Sequence, residues 1–289
     1  MSGLAAHLAG GLTTLCHAWA VVRRDGVVFG FTDHDLDLSF EGIVFRAGSG
    51  LSAMALQQGT GLAVDNTEAV GALSDAAITE ADIEAGRFDG AEVRCWRVNW
   101  ADTGQRLMLF RGSIGELRRA GGQFTAELRG LSEALNRPLG RIYQKPCTAV
   151  LGDAACGLDI GKPGYAVTLA AEAVESARLL RFAAIEGFAA GWFQRGRLAV
   201  LEGAARGLSG MIKSDVQQGG ARVVELWEPM RAPLAAGDLL RLEAGCDKRF
   251  ETCRLKFANV LNFQGFPDLP GEDWMVAQPA QGAGGGSRR

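Results

Sequence analysis

Short apolar runs cut by glycine turns dominate this chain, and they leave room for little besides short strands. The 40 glycines among 289 residues are roughly twice the usual share of about 7%. With no fixed glycine period and only 8 prolines, the excess reads as turns and not as a fibrous repeat. Asp25-Gly26, Glu41-Gly42, Gly121-Gly122, Glu202-Gly203 and Gly219-Gly220 each stand between two apolar runs, which is the signature of a hairpin.

The spacing predicts a strand over Thr13 to Val22 returning through Val27 to Phe31, then a hairpin of Leu36 to Phe40 with Ile43 to Phe45. Leu51 to Leu73 is Gly-rich and weakly patterned, and Thr79 is placed to cap a short helix that Gly86 stops. A meander follows over Ala91 to Trp100, Gln105 to Arg111, Ile114 to Arg119 and Gln123 to Arg129, with a break expected at Gly112. Ser132 can cap a further short helix that Pro138 closes. Periodicity fails between Leu139 and Gly164, and strands resume at Tyr165 to Ala170, Leu179 to Ala184, Gly191 to Leu201, Gly207 to Ile212, Ala221 to Trp227 and Asp238 to Leu242. This second half is expected to form a small barrel. A helix is expected from about Asp247 to Phe257. The fold class is therefore mainly β with small α elements. It divides into a β-rich part over residues 1–140, a second β part over 141–275 and a disordered Gly-rich tail over 276–289.

Charge and targeting signals narrow the function classes. A formal net charge of -3 gives no basic footprint for gripping nucleic acid. Met1 to Val22 is apolar, but Arg23 and Arg24 follow the apolar stretch instead of preceding it, the wrong order for a secretory signal. No run reaches the roughly 18 to 20 apolar residues of a membrane span. Folding in the cytoplasm is the expectation, where thiols stay reduced and six cysteines are poorly read as three disulfides.

Cys147 and Cys156 lie in the irregular junction, and Cys246 and Cys253 lie at the expected last helix. Together they supply four thiolates, enough for a [4Fe-4S] cluster or a tetrahedral zinc. Neither spacing is the tight knuckle usual for zinc, which favours the larger cluster, and Lys145, Lys162, Lys248, Arg249, Arg254 and Lys256 lie nearby to offset its negative charge. Plain burial of four small side chains, or disulfides, would also be consistent with these residues. Cys16 and Cys95, inside strand patterns beside tryptophans, read as core residues.

Thr32-Asp33-His34-Asp35-Leu36-Asp37 places a histidine among three carboxylates, suited to a divalent metal or an acid-base pair, though short Asp-rich stretches commonly cap turns. His7 and His17 are isolated. No P-loop, nucleophile elbow, dinucleotide fingerprint or zinc-protease motif occurs, so no catalytic residues are assigned and an enzyme is not expected. The alternative is an iron-sulfur DNA-processing enzyme, glycosylase- or nuclease-like, using the Asp33-His34-Asp35 segment.

A family resemblance rests on Gly30-Phe31-Thr32-Asp33-His34-Asp35-Leu36-Asp37-Leu38, Asp65-Asn66, Asp89-Gly90-Ala91, Leu135-Asn136-Arg137-Pro138, Cys147, Leu151-Gly152-Asp153 and Cys156-Gly157. It continues through Gly245-Cys246-Asp247-Lys248, Thr252-Cys253, Lys256-Phe257 and Asn259. In these the chain resembles tail-tip (baseplate) hub proteins of siphophage-like tails and gene transfer agents, whose C-terminal part is similar to the iron-sulfur-binding tail-tip protein of phage lambda. The resemblance implies β-barrel hub domains like those of contractile tails and a short C-terminal cluster-binding helix. It further implies a structural [4Fe-4S] cluster on Cys147, Cys156, Cys246 and Cys253, with zinc as the alternative, and a homotrimer. Such a hub would link the distal tail protein ring to a central fibre (megatron-type) protein and a cell-wall peptidase. It would be assembled in the cytoplasm and carried at the tail tip of the released particle, with DNA passing through its channel without sequence-specific binding.

Overall fold

The computed structural model describes residues 3–11, 13–47, 66–71, 79–120, 123–130 and 140–270. The chain packs as two compact units: Met1–Leu139 with Ala204–Leu208 and Met230–Leu234, and Gly140–Gly203 with Ser209–Pro229 and Ala235–Arg289. Both are mostly β. The expected helix from Ser132 to Pro138 and the expected tail fall outside the described residues.

The first unit opens with a short helix, α1 (Gly3–Ala9), which no sequence signal announced. Its strands are β1 (Leu15–Val22), β2 (Val28–Thr32), β3 (Leu38–Phe40), β4 (Ile43–Phe45), β5 (Asn66–Gly71), β6 (Glu92–Asn99), β7 (Arg106–Ala120) and β8 (Gln123–Gly130). Six of them form one sheet in the order β2-β1-β6-β7-β8-β5, and β3 pairs with β4 as the expected hairpin. Successive side chains of a strand point to opposite faces, and here both faces are covered. Trp19, Val93, Cys95 and Phe110 pack on one side with Phe88, while Cys16, Ala18, Trp96 and Val98 pack on the other against Phe40 and Phe45 of the hairpin. The short helix α2 (Glu80–Glu84) is capped as expected, the Thr79 side chain accepting from the Asp82 N–H.

Two sequence expectations fail in this unit. Gly112 does not break a strand, because β7 runs unbroken through it. A Cβ at Gly112 would stand 2.2 Å from the Arg129 carbonyl oxygen and 2.6 Å from the Phe110 ring, so the glycine serves close packing and not a turn. A bulge between Ile114 and Leu117 supplies the bend instead. The weakly patterned stretch 51–73 also contains a strand, β5, which completes the sheet edge beside β8.

The second unit contains β9 (Ala166–Ala170), β10 (Ala173–Val174), β11 (Leu179–Phe182), β12 (Arg197–Val200), β13 (Ser209–Gln218), β14 (Ala221–Leu226) and β15 (Leu239–Glu243). They hydrogen-bond in the order β10-β11-β14-β13-β12-β15-β9. The two edge strands, β9 and β10, are consecutive, separated only by Ala171 and Glu172. Seven flat strands would put those edges about 29 Å apart at roughly 4.8 Å per strand, whereas the connecting residues reach about 10 Å. The sheet must therefore curl round on itself. Ala171 N–H donates to Asp238 on one side and Glu172 N–H to Arg181 on the other, tying the link between the two edges to both neighbouring strands. The result is a curled, half-barrel sheet where a small barrel is expected.

Several boundaries differ from expectation here, and β13 runs on to Gln218, six residues past its expected end at Ile212. Gly191 to Gly196 is wound into turns, leaving β12 only four residues. The last helix, α3 (Phe250–Leu255), is shorter than expected because Lys248 takes a positive φ of 67° and Ala258 one of 48°. The two-residue β10 is too short to leave a periodic signal.

Inside the curled sheet, Asp215 of β13 and Arg222 of β14 form a fully buried ion pair, with Nε and one terminal nitrogen of Arg222 each 2.6 Å from a carboxylate oxygen. Arg222 also donates to the carbonyls of Phe188 and Ala189, and Asp215 accepts from Phe193 N–H. Nearer the surface, Glu225 of β14 accepts from Arg178 ahead of β11 and from Lys213 and Ser214 of β13. The hydrogen-bonded Lys213 ammonium holds the Glu225 carboxyl below its ordinary range despite some desolvation. A depressed folded-state value means that the stabilisation is complete above the unfolded value, about 4.3, and is lost as pH falls through the folded one. Glu225→Gln is therefore expected to lower the unfolding midpoint at pH 6 while making its fall toward pH 3 shallower than wild type. Parallel pH curves for the two chains would contradict this.

Candidate metal centre

Cys147, Cys156, Cys246 and Cys253 line one hollow in the second unit, all four free and partly buried. Three stretches of chain meet there. Cys147 N–H donates to the Lys248 carbonyl at 2.9 Å, laying the junction against the residues ahead of α3. Phe266 N–H donates to Gln144 and Thr148 N–H to Gln264, bringing the stretch after α3 alongside. Cys156 is set by a turn around Asp153, whose carboxylate accepts from Val150 N–H at 2.8 Å and from Cys156 N–H at 2.7 Å. Those backbone donors, Cys156 first, keep the Asp153 carboxyl below its usual range.

Cys246 is fixed by a close backbone crossing. A Cβ at Gly245 would stand 1.6 Å from the Gln194 carbonyl oxygen, and one at Gly196 would stand 2.0 Å from that of Glu243. Only glycine fits at either position. Gly245 N–H donates to Trp192 across the crossing, and the chain then turns through Lys248 into α3, which carries Cys253.

Burial pushes the thiols of Cys246 and Cys253 up, and the neighbouring cysteine sulfurs add to this at both: Cys147 at Cys246, and Cys147, Cys246 and Cys156 at Cys253. Cys246 and Cys253, held up by burial and by their sulfur neighbours, need positive charge nearby before they can become thiolates. Of the six basic residues near them in sequence, Lys248 and Arg249 line the hollow. Lys256 lies beside it, donating to the carbonyls of Trp192 (2.6 Å) and Gly245 (2.8 Å) and sitting 4.4 Å from the Trp192 ring centre. Lys145, Lys162 and Arg254 do not line it. Among the described residues no three His, Cys, Asp or Glu side chains are grouped closely enough to clasp a bare metal ion.

The surroundings provide few other anchors. Within residues 140–165 only Ala149 is buried, and within 246–266 only Phe257. Asn259 and Gln264, whose roles sequence spacing did not disclose, contact the sulfurs directly. Asn259 Nδ2 lies 3.5 Å from Cys156 Sγ, and Gln264 N lies 3.4 Å from Cys147 Sγ.

The remaining candidates have structural partners in the first unit. Cys16 and Cys95 are buried on opposite faces of the sheet, and burial pushes the Cys95 thiol up to about 12. In the Asp-rich segment, Asp33 accepts from the N–H and ring of His17, Asp37 accepts from Ala47 N–H, and His34 stacks on Trp100. Asp33 and Asp37 thus cap the backbone, the reading that Asp-rich turns suggest.

Comparison with known proteins adds the following. The family described as baseplate hub protein, N-terminal attachment domain, matches residues 1–159, which include Cys147 and Cys156. The family described as phage conserved hypothetical protein BR0599 matches residues 191–273, which include Cys246 and Cys253. The chain is similar to one in a solved structure titled virion of native gene transfer agent (GTA) particle, with 56% sequence identity and a TM-score of 0.90. That likeness covers 99% of this chain and 98% of the other. No curated protein matches.

Proposed function

The chain belongs to the baseplate hub family, and we propose that it is the hub of a gene-transfer-agent or phage-like tail baseplate, with a structural and not a catalytic role. The observation that carries this reading is the likeness, over essentially its whole length, to a chain of a gene transfer agent virion. In this reading three copies assemble as a ring that joins the distal tail ring to the central fibre and a cell-wall peptidase, and DNA passes through the ring. A net charge of -3 suits that passage, since strong phosphate attraction would stall the strand. No helix among the described residues is long and apolar enough to cross a membrane.

The four cysteines would hold a [4Fe-4S] cluster as a clip. The donor set fits: four sulfurs and no carboxylate or imidazole line the hollow, with two basic side chains at its wall. Around one tetrahedral zinc at about 2.3 Å the sulfurs would stand about 3.8 Å apart. Neither cysteine spacing is the tight knuckle usual for zinc, which favours a larger inorganic core. When bound, the cluster would supply four iron-sulfur bonds tying the junction to the residues around α3. Ordering a residue costs about 1–2 kcal/mol of backbone entropy, and burying one alanine such as Ala149 returns about 1 kcal/mol or less. Cross-links are what these segments lack.

The hub assignment is tested by deleting the gene in producing cells. Particles are expected to lack a tail tip and to deliver no DNA, and the purified chain to show three times its 30.6 kDa mass in solution. Normal delivery by the deletion strain would refute the assignment.

A further inference from the structure

Resting on the cluster reading, we infer that Asn259 is a positioning residue that joins the two cysteine pairs and, together with the Gln264 backbone N–H, sets the reduction potential of the cluster through hydrogen bonds to its sulfurs. Asn259 touches both halves of the ligand set. Its side-chain amide donates to the Cys156 carbonyl at 2.7 Å and reaches Cys156 Sγ at 3.5 Å. Its backbone N–H donates to the Cys253 carbonyl at 3.1 Å, a link that persists when Cys253 is a thiolate.

The amide orientation follows from its partners. The Cys156 carbonyl can only accept, so the nitrogen must face it, and Asn259 Oδ1 is left to accept from Asn262 Nδ2 at 2.8 Å. The Gln264 N–H on Cys147 adds a donor to a second sulfur, one on the other side of the junction turn. Donors to cysteine sulfur withdraw charge and stabilise the reduced, more negative cluster, which raises its potential. Lys256 works in the same direction as a nearby cation, but it touches carbonyls and no sulfur, so its influence is through charge alone. The stretch after α3 therefore does more than cover the hollow.

Asn259→Asp tests this with little change of shape. The carboxylate keeps an acceptor for Asn262, loses both N–H donors and adds negative charge beside Cys156. The reaction followed is one-electron reduction of [4Fe-4S]2+ to [4Fe-4S]+ at an electrode, on anaerobically purified full-length chain. At a fixed applied potential the ratio of reduced to oxidised cluster is expected to fall at least tenfold, a shift of 59 mV for a one-electron couple. A second readout needs no variant: in D2O the iron-cysteine stretching bands of the wild-type chain should shift, since exchangeable protons sit on its sulfurs. A cluster-loaded Asn259→Asp chain with wild-type potential would overturn the inference while leaving the cluster reading intact, as would the absence of any D2O shift. A wild-type chain free of iron and sulfide would overturn both.

Discussion

Cys253→Ser is expected to abolish metal binding and, with it, the ordered packing of residues 140–165 against 246–266. Serine keeps the size of the side chain but offers a hard hydroxyl whose proton is far harder to remove, so the cluster loses one corner. Because these segments bury only Ala149 and Phe257 between them, the proposed cluster would supply its binding free energy as folding free energy for this part of the unit. The expected readings are loss of iron and sulfide, proteolytic cutting within 140–165 and absence of the hub from purified particles. Cys16→Ala, a change in the other unit, should retain the metal. A Cys253→Ser chain as resistant to protease as wild type, and equally well incorporated, would show that the clip is dispensable.

Asp215→Ala is expected to destabilise the curled sheet by about 3–5 kcal/mol, because it leaves the Arg222 guanidinium buried without its counter-charge. The pair is closed to water on both sides, and Arg222 is additionally held by the Phe188 and Ala189 carbonyls and lies 4.7 Å from the Phe193 ring. It cannot swing out to be solvated. The loop that Asp215 anchors through Phe193 N–H leads directly to Trp192, Gln194 and the crossing at Gly245, so part of the damage should reach Cys246. The double change Asp215→Leu with Arg222→Met should recover much of the loss, since replacing a buried pair by apolar side chains is often neutral or better. Chemical unfolding of the three chains distinguishes these outcomes. An Asp215→Ala chain within 1 kcal/mol of wild type would contradict the buried-pair argument.

Much of the two sheets was legible because strand pairing here is mostly local. Glu41-Gly42 and Gly219-Gly220 announced their hairpins through left-handed turns, and burial alternates cleanly along Ala221–Leu226. Gly112 looks in sequence like a glycine that turns the chain, and only the nearby Arg129 carbonyl shows that it admits another backbone instead. Gly191 to Gly196 deceives in the opposite sense: its apolar residues read as strand, whereas Gly191 takes a φ of 77° and the segment turns. The four cysteines stood out in the sequence by residue type and number, and they line one hollow. Their convergence depends on residues more than 100 apart, such as Cys147 and Lys248 or Asn259 and Cys156, which no local pattern records. Asn259 is one of the residues that carry the family resemblance, but neither it nor Gln264 has a local signal of its contact with sulfur, because an asparagine in a loop is common and a backbone N–H carries no side-chain identity.

The most direct test of the clip is anaerobic purification of the full chain followed by iron, sulfide and zinc analysis. The expected result is a brown protein with about four irons and as many sulfides per chain, both lost in Cys253→Ser. A colourless wild-type chain carrying zinc, or no metal at all while remaining folded, would contradict it.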